Sequence, residues 1–217
     1  KSRLFVVGGS NASQFNKTAY TYNPKEESLV FNSVASHLGN ARKAHIGAGY
    51  ENYFVMHYGG DGNGYSAAEQ NYLYNLTTNT WRRIINLPTH DLNHNYVFTE
   101  SNMYYVSKRS NINHFYSIPI NTLLNSTSSS STSLWTKLSD PPLYQGTART
   151  HPVSVPNLTR IENKVYYYET SNNKTGNPFT VYVFDEDNSS LGWTNVIDIG
   201  YMPNDFLSHK ERIYVLG

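Results

Sequence analysis

Cysteine is absent from the chain. Within these residues the protein therefore forms no disulfide bond, no thiolate metal site and no cysteine nucleophile. The cellular compartment is not fixed by this absence, because a fold built from hydrogen-bonded sheets does not depend on disulfides for its stability.

Charge of either sign is also scarce. Asp, Glu, Lys and Arg make up 15% of the 217 residues, and 17 basic residues nearly balance 16 acidic ones. Such a surface has no strong field to attract nucleic acid or acidic lipid, so we expect no nucleic-acid partner. Since no apolar run approaches the ~20 residues of a membrane helix, we expect membrane contact only through segments outside this chain.

Tyrosine, by contrast, is abundant, with 19 copies that fall largely in short β-rich runs recurring along the sequence. Successive runs begin about 50 residues apart, with one longer gap of about 60, at Arg3, Asn52, Asn102, Lys164 and Arg212. A fixed period of this size is typical of a repeat architecture. One unit of such a protein cannot bury its own apolar face and packs on its neighbours.

Each repeat is predicted to contain four strands separated by clusters of Gly, Asn and Thr. The second repeat is clearest, with strands over 44–50, 53–58 and 71–74 and a fourth that begins at Trp81. No long stretch has the helical period, and Ser66 to Gln70 is predicted to form at most one turn. The chain then contains about seventeen strands. The units span approximately 3–40 (lacking its first strand), 44–88, 95–142, 153–200 and 204–217.

The order of motifs resembles the kelch repeat. An apolar run ending in Gly-Gly precedes a tyrosine-containing strand, an Asn-Pro or Asn-Thr turn, a tryptophan and a closing Leu-Pro. The matching positions are Gly8, Gly9, Gly59 and Gly60 for the diglycine and Trp81, Trp135 and Trp193 for the aromatic residue. The third and fourth repeats carry Lys108-Arg109 and Thr170-Ser171 where the diglycine is expected. The resemblance covers nearly the whole chain and implies an all-β fold, a β-propeller of four-stranded antiparallel blades of the galactose-oxidase/kelch type.

The strand count also bears on the size of the propeller. A ring of four four-stranded blades is complete at ~16 strands, so a surplus strand argues against closure within these residues. We expect an incomplete part of a propeller of about six or seven blades. The alternative is that another chain covers the open edge.

The repeated aromatic residues and glycines are interpreted as structural. Tyr and Trp near strand ends are expected to pack one blade on the next, and the glycines to form turns and close contacts near the central channel. The segment Gly59 to Gly64 superficially resembles a nucleotide-binding loop. It follows a strand without opening a helix, so a dinucleotide site is not predicted.

Seven Asn-x-Ser/Thr sequons, none with proline in the middle, are candidate N-glycosylation sites. Most lie where turns or loops are predicted, which favours a secreted or cell-surface glycoprotein. The alternative is coincidence, because a chain rich in Asn, Ser and Thr contains such triplets by chance. The candidate acceptors are Asn11, Asn16, Asn75, Asn125, Asn157, Asn173 and Asn188.

The segment Asn121 to Ser133 is of low complexity and lengthens the third repeat. Its serine-rich composition offers nothing to a core, so we predict a mobile surface loop. It is interpreted either as a plain flexible insertion or as a site of O-glycosylation.

No arrangement of residues predicts a catalytic site, a bound metal or another cofactor. His90 and His94 have a spacing compatible with metal binding, yet both are interpreted as solvated loop histidines because no third ligand is evident. The acidic segments Asp61 to Glu69 and Asp185 to Asp187 are interpreted as turns rather than calcium loops. Galactose-oxidase-like enzymes use a tyrosine cross-linked to cysteine, and this chain has no cysteine.

The sequence favours a non-enzymatic binding or structural module of an extracellular or cell-surface glycoprotein, which presents its blade loops to a protein or glycan partner. The loops expected to bind follow the second strands, at Ser10–Lys17, Asp61–Glu69, Ser107–Asn111 and Ser171–Pro178. Two alternatives remain: an intracellular kelch adaptor for protein–protein interaction, and a propeller enzyme of the oxidase type whose active site lies outside these residues. An uncharged, tyrosine-rich surface is also compatible with self-assembly.

Overall fold

The computed structural model describes residues 4–7, 19–23, 25, 32–34, 46–57, 71–89, 93–109, 112–142, 155–170, 179–199 and 205–216. Within these ranges seventeen strands form antiparallel sheets, three of which have four strands each. The protein is therefore all-β with four-stranded antiparallel sheets, as the repeat pattern predicts. No helix in the described ranges is long and apolar enough to cross a membrane.

Inside every sheet, strands that are consecutive in the chain pair with each other. The first sheet contains β1 (Leu4–Val7), β2 (Ala19–Tyr22) and β3 (Asn32–Val34). The second contains β4 (Ile46–Tyr50), β5 (Tyr53–His57), β6 (Asn71–Asn75) and β7 (Thr80–Ile84). The third contains β8 (Asn93–Phe98), β9 (Asn102–Arg109), β10 (Ile112–Pro119) and β11 (Thr136–Lys137). The fourth contains β12 (Val155–Ile161), β13 (Lys164–Thr170), β14 (Phe179–Asp185) and β15 (Trp193–Ile199), and the last pair is β16 (Asp205–His209) with β17 (Arg212–Leu216).

Two-residue turns join β4 to β5, β12 to β13 and β16 to β17. In each turn the first residue is left-handed, with φ of 50° at Glu51, 52° at Glu162 and 52° at Lys210. Left-handed residues let a short turn follow the twist of the two strands that it joins. Because the same geometry recurs at the same place in the repeat, these three hairpins are structurally equivalent.

The chain divides into two compact units, one made of residues 1–90 and 122–132 and the other of residues 91–121 and 133–217. In the first unit, a buried cluster joins the first and second sheets. Ala19 of β2 belongs to it together with the aromatic face of the second sheet. There Trp81 packs on Tyr74 with ring centroids 4.9 Å apart and meets Phe54 edge-on at 6.3 Å.

In the second unit, the third sheet packs on the fourth through buried aromatic side chains. Phe115 of β10 lies 5.3 Å from Phe184 of β14 and 4.8 Å from Trp193 of β15, measured between ring centroids. Tyr167 belongs to this cluster, whereas its neighbour Tyr168 belongs to a second cluster that β17 covers. Adjacent residues of a strand point to opposite faces, so the fourth sheet is packed on both sides.

The prediction of a mobile loop over Asn121 to Ser133 is wrong in its first half. The helix α1 (Ile120–Asn125) opens this segment, and Leu123 and Ser126 are buried. The following serines and threonines are mostly exposed. The serine-rich composition concealed the fold of this segment, because Leu123 is the one fully buried apolar residue in it.

Hydrogen bonds fix the same segment to β7 and the residues that follow it. Ser126 Oγ accepts from the backbone N–H of Ile85 at 3.1 Å and donates to Leu123 O at 2.7 Å. Arg82 donates to the backbone carbonyls of Leu124 and Ser126. Thus residues 123–126 are anchored by side-chain hydrogen bonds within the first unit, and most residues of the tract beyond them are exposed.

Replacing Ser126 by alanine tests this anchor. The backbone N–H of the fully buried Ile85 would lose its acceptor, so the free energy of unfolding is expected to fall by about 1–3 kcal/mol. Urea denaturation followed by circular dichroism measures the change. Ser128→Ala in the exposed tract is the matched control and should change stability by no more than about 0.5 kcal/mol. Equal effects of the two substitutions would contradict a docked segment.

Candidate functional site

The structure describes only part of the loop set that the sequence predicts to bind a partner. The residues outside the described ranges include Ser10–Lys17, Asp61–Glu69, Ser171–Pro178 and the diglycine positions Gly8, Gly9, Gly59 and Gly60. The prediction of a loop at Ser107–Asn111 is wrong for its first three residues, because β9 continues to Arg109. Ser107 is fully buried, and Lys108 pairs with Asn113 of β10. Hydrogen bonding to β10 thus extends the hairpin into the region where a loop was expected.

The ends of β9 and β13 carry a buried polar cluster, the loop-end cluster, formed by Lys108, Asn113, Tyr167 and Glu169. Lys108 Nζ lies 2.7 Å from Glu169 Oε2. Tyr167 donates its hydroxyl to Glu169 Oε1, and Asn113 Nδ2 lies 2.7 Å from Tyr167 Oη and 3.0 Å from Glu169 Oε1. Two of these residues come from the third sheet and two from the fourth. The cluster therefore links the two sheets at the end where the chain leaves β9 and β13.

The chain segment after β11 packs back on this cluster. Asn113 Nδ2 lies 3.3 Å from Pro141 O and 3.4 Å from Pro142 O. The backbone N–H of Phe115 donates to Asp140 Oδ1 at 3.0 Å. The closing Asp-Pro-Pro segment of the third repeat therefore covers β10 and adds acceptors around the Asn113 amide.

The charges of the loop-end cluster are held in fixed states. Burial on its own would raise the pKa of the Glu169 carboxyl, but hydrogen bonds from Lys108, Tyr167 and Asn113 outweigh burial and lower that pKa. Burial, reinforced by the neighbouring Glu169 carboxylate, raises the pKa of the Tyr167 hydroxyl well above its ordinary value. Near neutral pH Glu169 is ionised and Tyr167 is protonated. This pair is thus suited to holding the sheets together and poorly suited to exchanging protons with a substrate.

A second polar link joins the same two sheets at their opposite end. Glu186, which begins the 3-10 helix Glu186–Leu191, accepts hydrogen bonds from Ser101 Oγ at 2.6 Å and from Asn102 Nδ2. Burial, followed by the charge and hydrogen bond of Glu186, raises the pKa of Tyr104. The aromatic core between the third and fourth sheets is therefore closed by an acidic side chain at each end.

The three tryptophans of the repeat lie against other aromatic rings. Trp81 and Trp135 are each 6% exposed, and Trp135 lies 6.1 Å from the ring of Tyr105. Trp193 is half-buried, and its indole N–H donates to Ser139 O at 2.9 Å. Since Trp193 belongs to the fourth sheet and Ser139 to the segment after β11, this tryptophan also connects neighbouring repeats.

The seven sequons differ in how the structure places them. Asn75 is the last residue of β6, Asn125 is the exposed last residue of α1, and Asn188 is exposed within the 3-10 helix Glu186–Leu191. Asn157 is half-buried in the middle of β12. Asn11, Asn16 and Asn173 lie outside the described residues. A sequon inside a strand is a different environment from the turns that the sequence predicts for most of these sites.

The interpretation of His94 as a solvated loop residue is wrong. Because β8 begins at Asn93, His94 lies inside a strand, where it is 2% exposed and its ring is 5.7 Å from the ring of Tyr105. Residues along β8 alternate between buried and half-buried, which is the period of a strand. His90 lies outside the described residues.

The acidic segment at Asp185 to Asp187 forms a turn by its own hydrogen bonds. Asp185 accepts from the backbone N–H of Asp187 at 3.1 Å, and its other carboxylate oxygen lies 3.8 Å from Lys164 Nζ. Across the ranges that the structure describes, no group of three or more metal-ligating side chains is placed to hold an ion. The other acidic segment, Asp61 to Glu69, is not among those ranges.

Sequence reasoning noted Lys108 only as a departure from the diglycine pattern and did not identify the loop-end cluster. The sequence feature that could have identified the cluster is a pair of opposite charges in adjacent repeats. Aligned with Gly59 of the second repeat, the third repeat has Lys108. The fourth repeat has Glu169 one residue before the aligned position. These opposite charges, offset by one position in the repeat, meet where the third and fourth sheets pack on each other.

A scan against protein-family models found no match to this chain, and neither did a search of curated proteins. A function is therefore inferred from the chain's own geometry.

Proposed function

We propose that the chain is part of a kelch-type β-propeller that serves as a non-enzymatic binding module of an extracellular or cell-surface glycoprotein. The observation that carries the proposal is the stacking of sheets in chain order. The first sheet packs on the second in one unit, and in the other the third packs on the fourth and the fourth on β17. In a propeller, blades that are consecutive in the chain likewise pack face to face on each other.

The first strands of neighbouring sheets in the second unit support the same arrangement. β12 lies next to both β8 and β16. Asn95 of β8 donates from Nδ2 to Oδ1 of Asn157 in β12 at 3.4 Å. Propeller blades surround a central channel, so one edge strand of every blade must lie near the same axis. We assign β8, β12 and β16 to that inner edge.

Binding is proposed at the loops that follow the second strands. The ends of β9 and β13 are held by the ion pair between Lys108 and Glu169, and loops that begin on a rigid support are where recognition commonly resides. The partner is proposed to be a protein or a glycan. With 17 basic and 16 acidic residues, the chain lacks the excess positive charge that nucleic acid requires.

The test compares loop-exchanged proteins. Residues 171–178 are replaced by a Gly/Ser segment of equal length. The matched control makes the same kind of replacement at residues 127–131, a mostly exposed tract that is not one of the proposed binding loops. Both proteins and the parent are applied to an array of defined glycans and an array of cell-surface ectodomains. The parent and the control are expected to share a binding partner that the 171–178 variant loses, while all three keep the same circular dichroism spectrum. Absence of any partner for the parent, or retention by the 171–178 variant, would reject the proposed binding site.

A further inference from the structure

The turn between β6 and β7 contains the sequon Asn75-Leu76-Thr77 in a defined geometry. Asn75 Oδ1 accepts from the backbone N–H of Thr77 at 2.8 Å and from that of Thr78 at 3.3 Å. The four residues from Thr77 to Thr80 are all exposed. The turn therefore holds the carboxamide by its oxygen, while the sequon hydroxyl of Thr77 lies at the surface.

We infer that Asn75 carries an N-linked glycan and that Asn157, although it lies in an equally valid sequon, does not. In the transfer, Asn75 Nδ2 forms a bond to C1 of the sugar and releases one proton to a base of the transferring enzyme. The bond between that C1 and the phosphate of a lipid-linked diphosphate donor breaks, and the diphosphate leaves with the electron pair. The oxygen of the carboxamide, which the turn engages in the folded chain, takes no part in the bond that forms.

The geometry at Asn75 suits transfer to a chain that is still folding. The contact from Asn75 to Thr77 spans two residues, and such Asx turns form from local sequence alone. A hydrogen bond to Oδ1 withdraws electron density from the amide and makes the Nδ2 protons easier to remove. After folding, the attached sugar would project from the end of a hairpin into solvent.

Asn157 is half-buried like Asn75, but it lies inside a strand and not at the start of a turn. It lies in the middle of β12, and its Oδ1 accepts from Asn95 of β8 at 3.4 Å, so its side chain lies between two neighbouring sheets. The sequon hydroxyl belongs to Thr159, which is 8% exposed. A glycan at this position would force β8 away from β12. Folded protein is therefore expected to contain an unmodified Asn157.

The inference rests on the extracellular location proposed above, and the experiment directs the chain into the secretory pathway with an added export signal. The full chain is fused to a cleavable export signal and produced in cultured mammalian cells. Lumenal and secreted protein is digested with N-glycosidase in heavy-oxygen water, which marks each formerly glycosylated asparagine with a mass label. Peptide mass spectrometry is expected to find the label on Asn75 in nearly all molecules and on Asn157 in none of the folded, secreted ones.

Two variants separate the sequon from the turn. Thr77→Ala removes the hydroxyl but keeps the backbone N–H that Asn75 accepts, and it should abolish the label at Asn75 without unfolding the protein. Thr77→Ser keeps the sequon and should keep the label. An unlabelled Asn75 in the lumenal chain, or a labelled Asn157 in the secreted chain, would overturn the inference. Neither result depends on the arrays used to test binding, so failure of the binding proposal is distinguishable from failure here.

Discussion

Replacing Glu169 by alanine is expected to lower the free energy of unfolding by about 3–5 kcal/mol, the largest effect of any polar substitution proposed for this chain. Lys108 Nζ lies 2.7 Å from the carboxylate, and the Lys108 side chain is only 11% exposed. Without Glu169, the mostly buried Lys108 ammonium would lose the carboxylate beside it between the two sheets. Tyr167 and Asn113 would also lose the acceptor to which they are hydrogen-bonded. Urea denaturation measures the loss.

A double variant and a surface control test whether the loss comes from leaving one charge of a buried ion pair without its partner. Replacing both charges, by Lys108→Met with Glu169→Leu, is expected to destabilise less than Glu169→Ala alone, because apolar replacement of a whole buried pair is often nearly neutral. Lys164→Ala removes an exposed partner of Asp185 and should cost no more than about 1 kcal/mol. A Glu169→Ala loss no greater than that of Lys164→Ala would contradict the structural role assigned to the loop-end cluster.

The same pair determines part of the pH dependence of stability. The folded-state pKa of Glu169 lies below its ordinary value of 4.5, so its stabilising contribution is fully present above that pH. The contribution is lost as the pH falls through the folded-state pKa and the carboxylate is protonated. Glu169→Gln is therefore expected to lose less stability than the parent as the pH falls below 4.5. An equally steep loss in this variant would assign the acid sensitivity to other carboxylates.

Replacing Phe184 by alanine is expected to cost about 3–5 kcal/mol through the cavity that it leaves. Phe184 is 1% exposed and contacts aromatic rings from both sheets, with centroid distances of 5.3 Å to Phe115, 5.6 Å to Trp193 and 5.7 Å to Tyr104. No single neighbour can fill the space, because polar links at both ends hold the two sheets in place. Thermal or urea unfolding, together with a change in tryptophan fluorescence from Trp193, reports the effect.

Two further substitutions serve as controls for the Phe184→Ala result. Phe184→Leu keeps most of the buried volume and should destabilise less than alanine. Leu191→Ala alters a side chain that is 71% exposed and should change stability by no more than about 0.5 kcal/mol. If Phe184→Ala behaved like Leu191→Ala, the aromatic cluster could not be the core of the second unit.

Strand positions could be predicted because runs of aromatic and β-branched residues, and the turn residues that bound them, are properties of the local sequence. Residues 53–57 and 164–170 are clear examples, where Tyr and Val recur directly after a two-residue turn. The exact ends of the strands were harder to predict from sequence. Lys108 lies in a predicted loop, yet β9 continues through it because β10 supplies hydrogen-bond partners that the sequence alone does not reveal. His94 was misassigned for the same reason, since the start of β8 at Asn93 is set by pairing with β9.

Contacts between repeats were the part least accessible to sequence reasoning. The anchor at Ser126 depends on Ile85, which is 41 positions away in the chain, and nothing in the composition of a serine tract distinguishes its one buried serine. Lys108 and Glu169 are 61 positions apart. Such pairs become visible only when repeats are aligned and their packing order is known, because the energy of a buried polar group depends on what faces it.

The ion pair between Lys108 and Glu169 also makes the repeats unequal. If the second repeat occupied the place of the third, glycine would face Glu169, and a carboxylate would be buried without a counterion. Similar units compete for the same neighbour while a chain folds, and such a mismatch disfavours the misassembled forms. Shuffling or duplicating these segments would consequently be tolerated only where both members of the charged pair moved together.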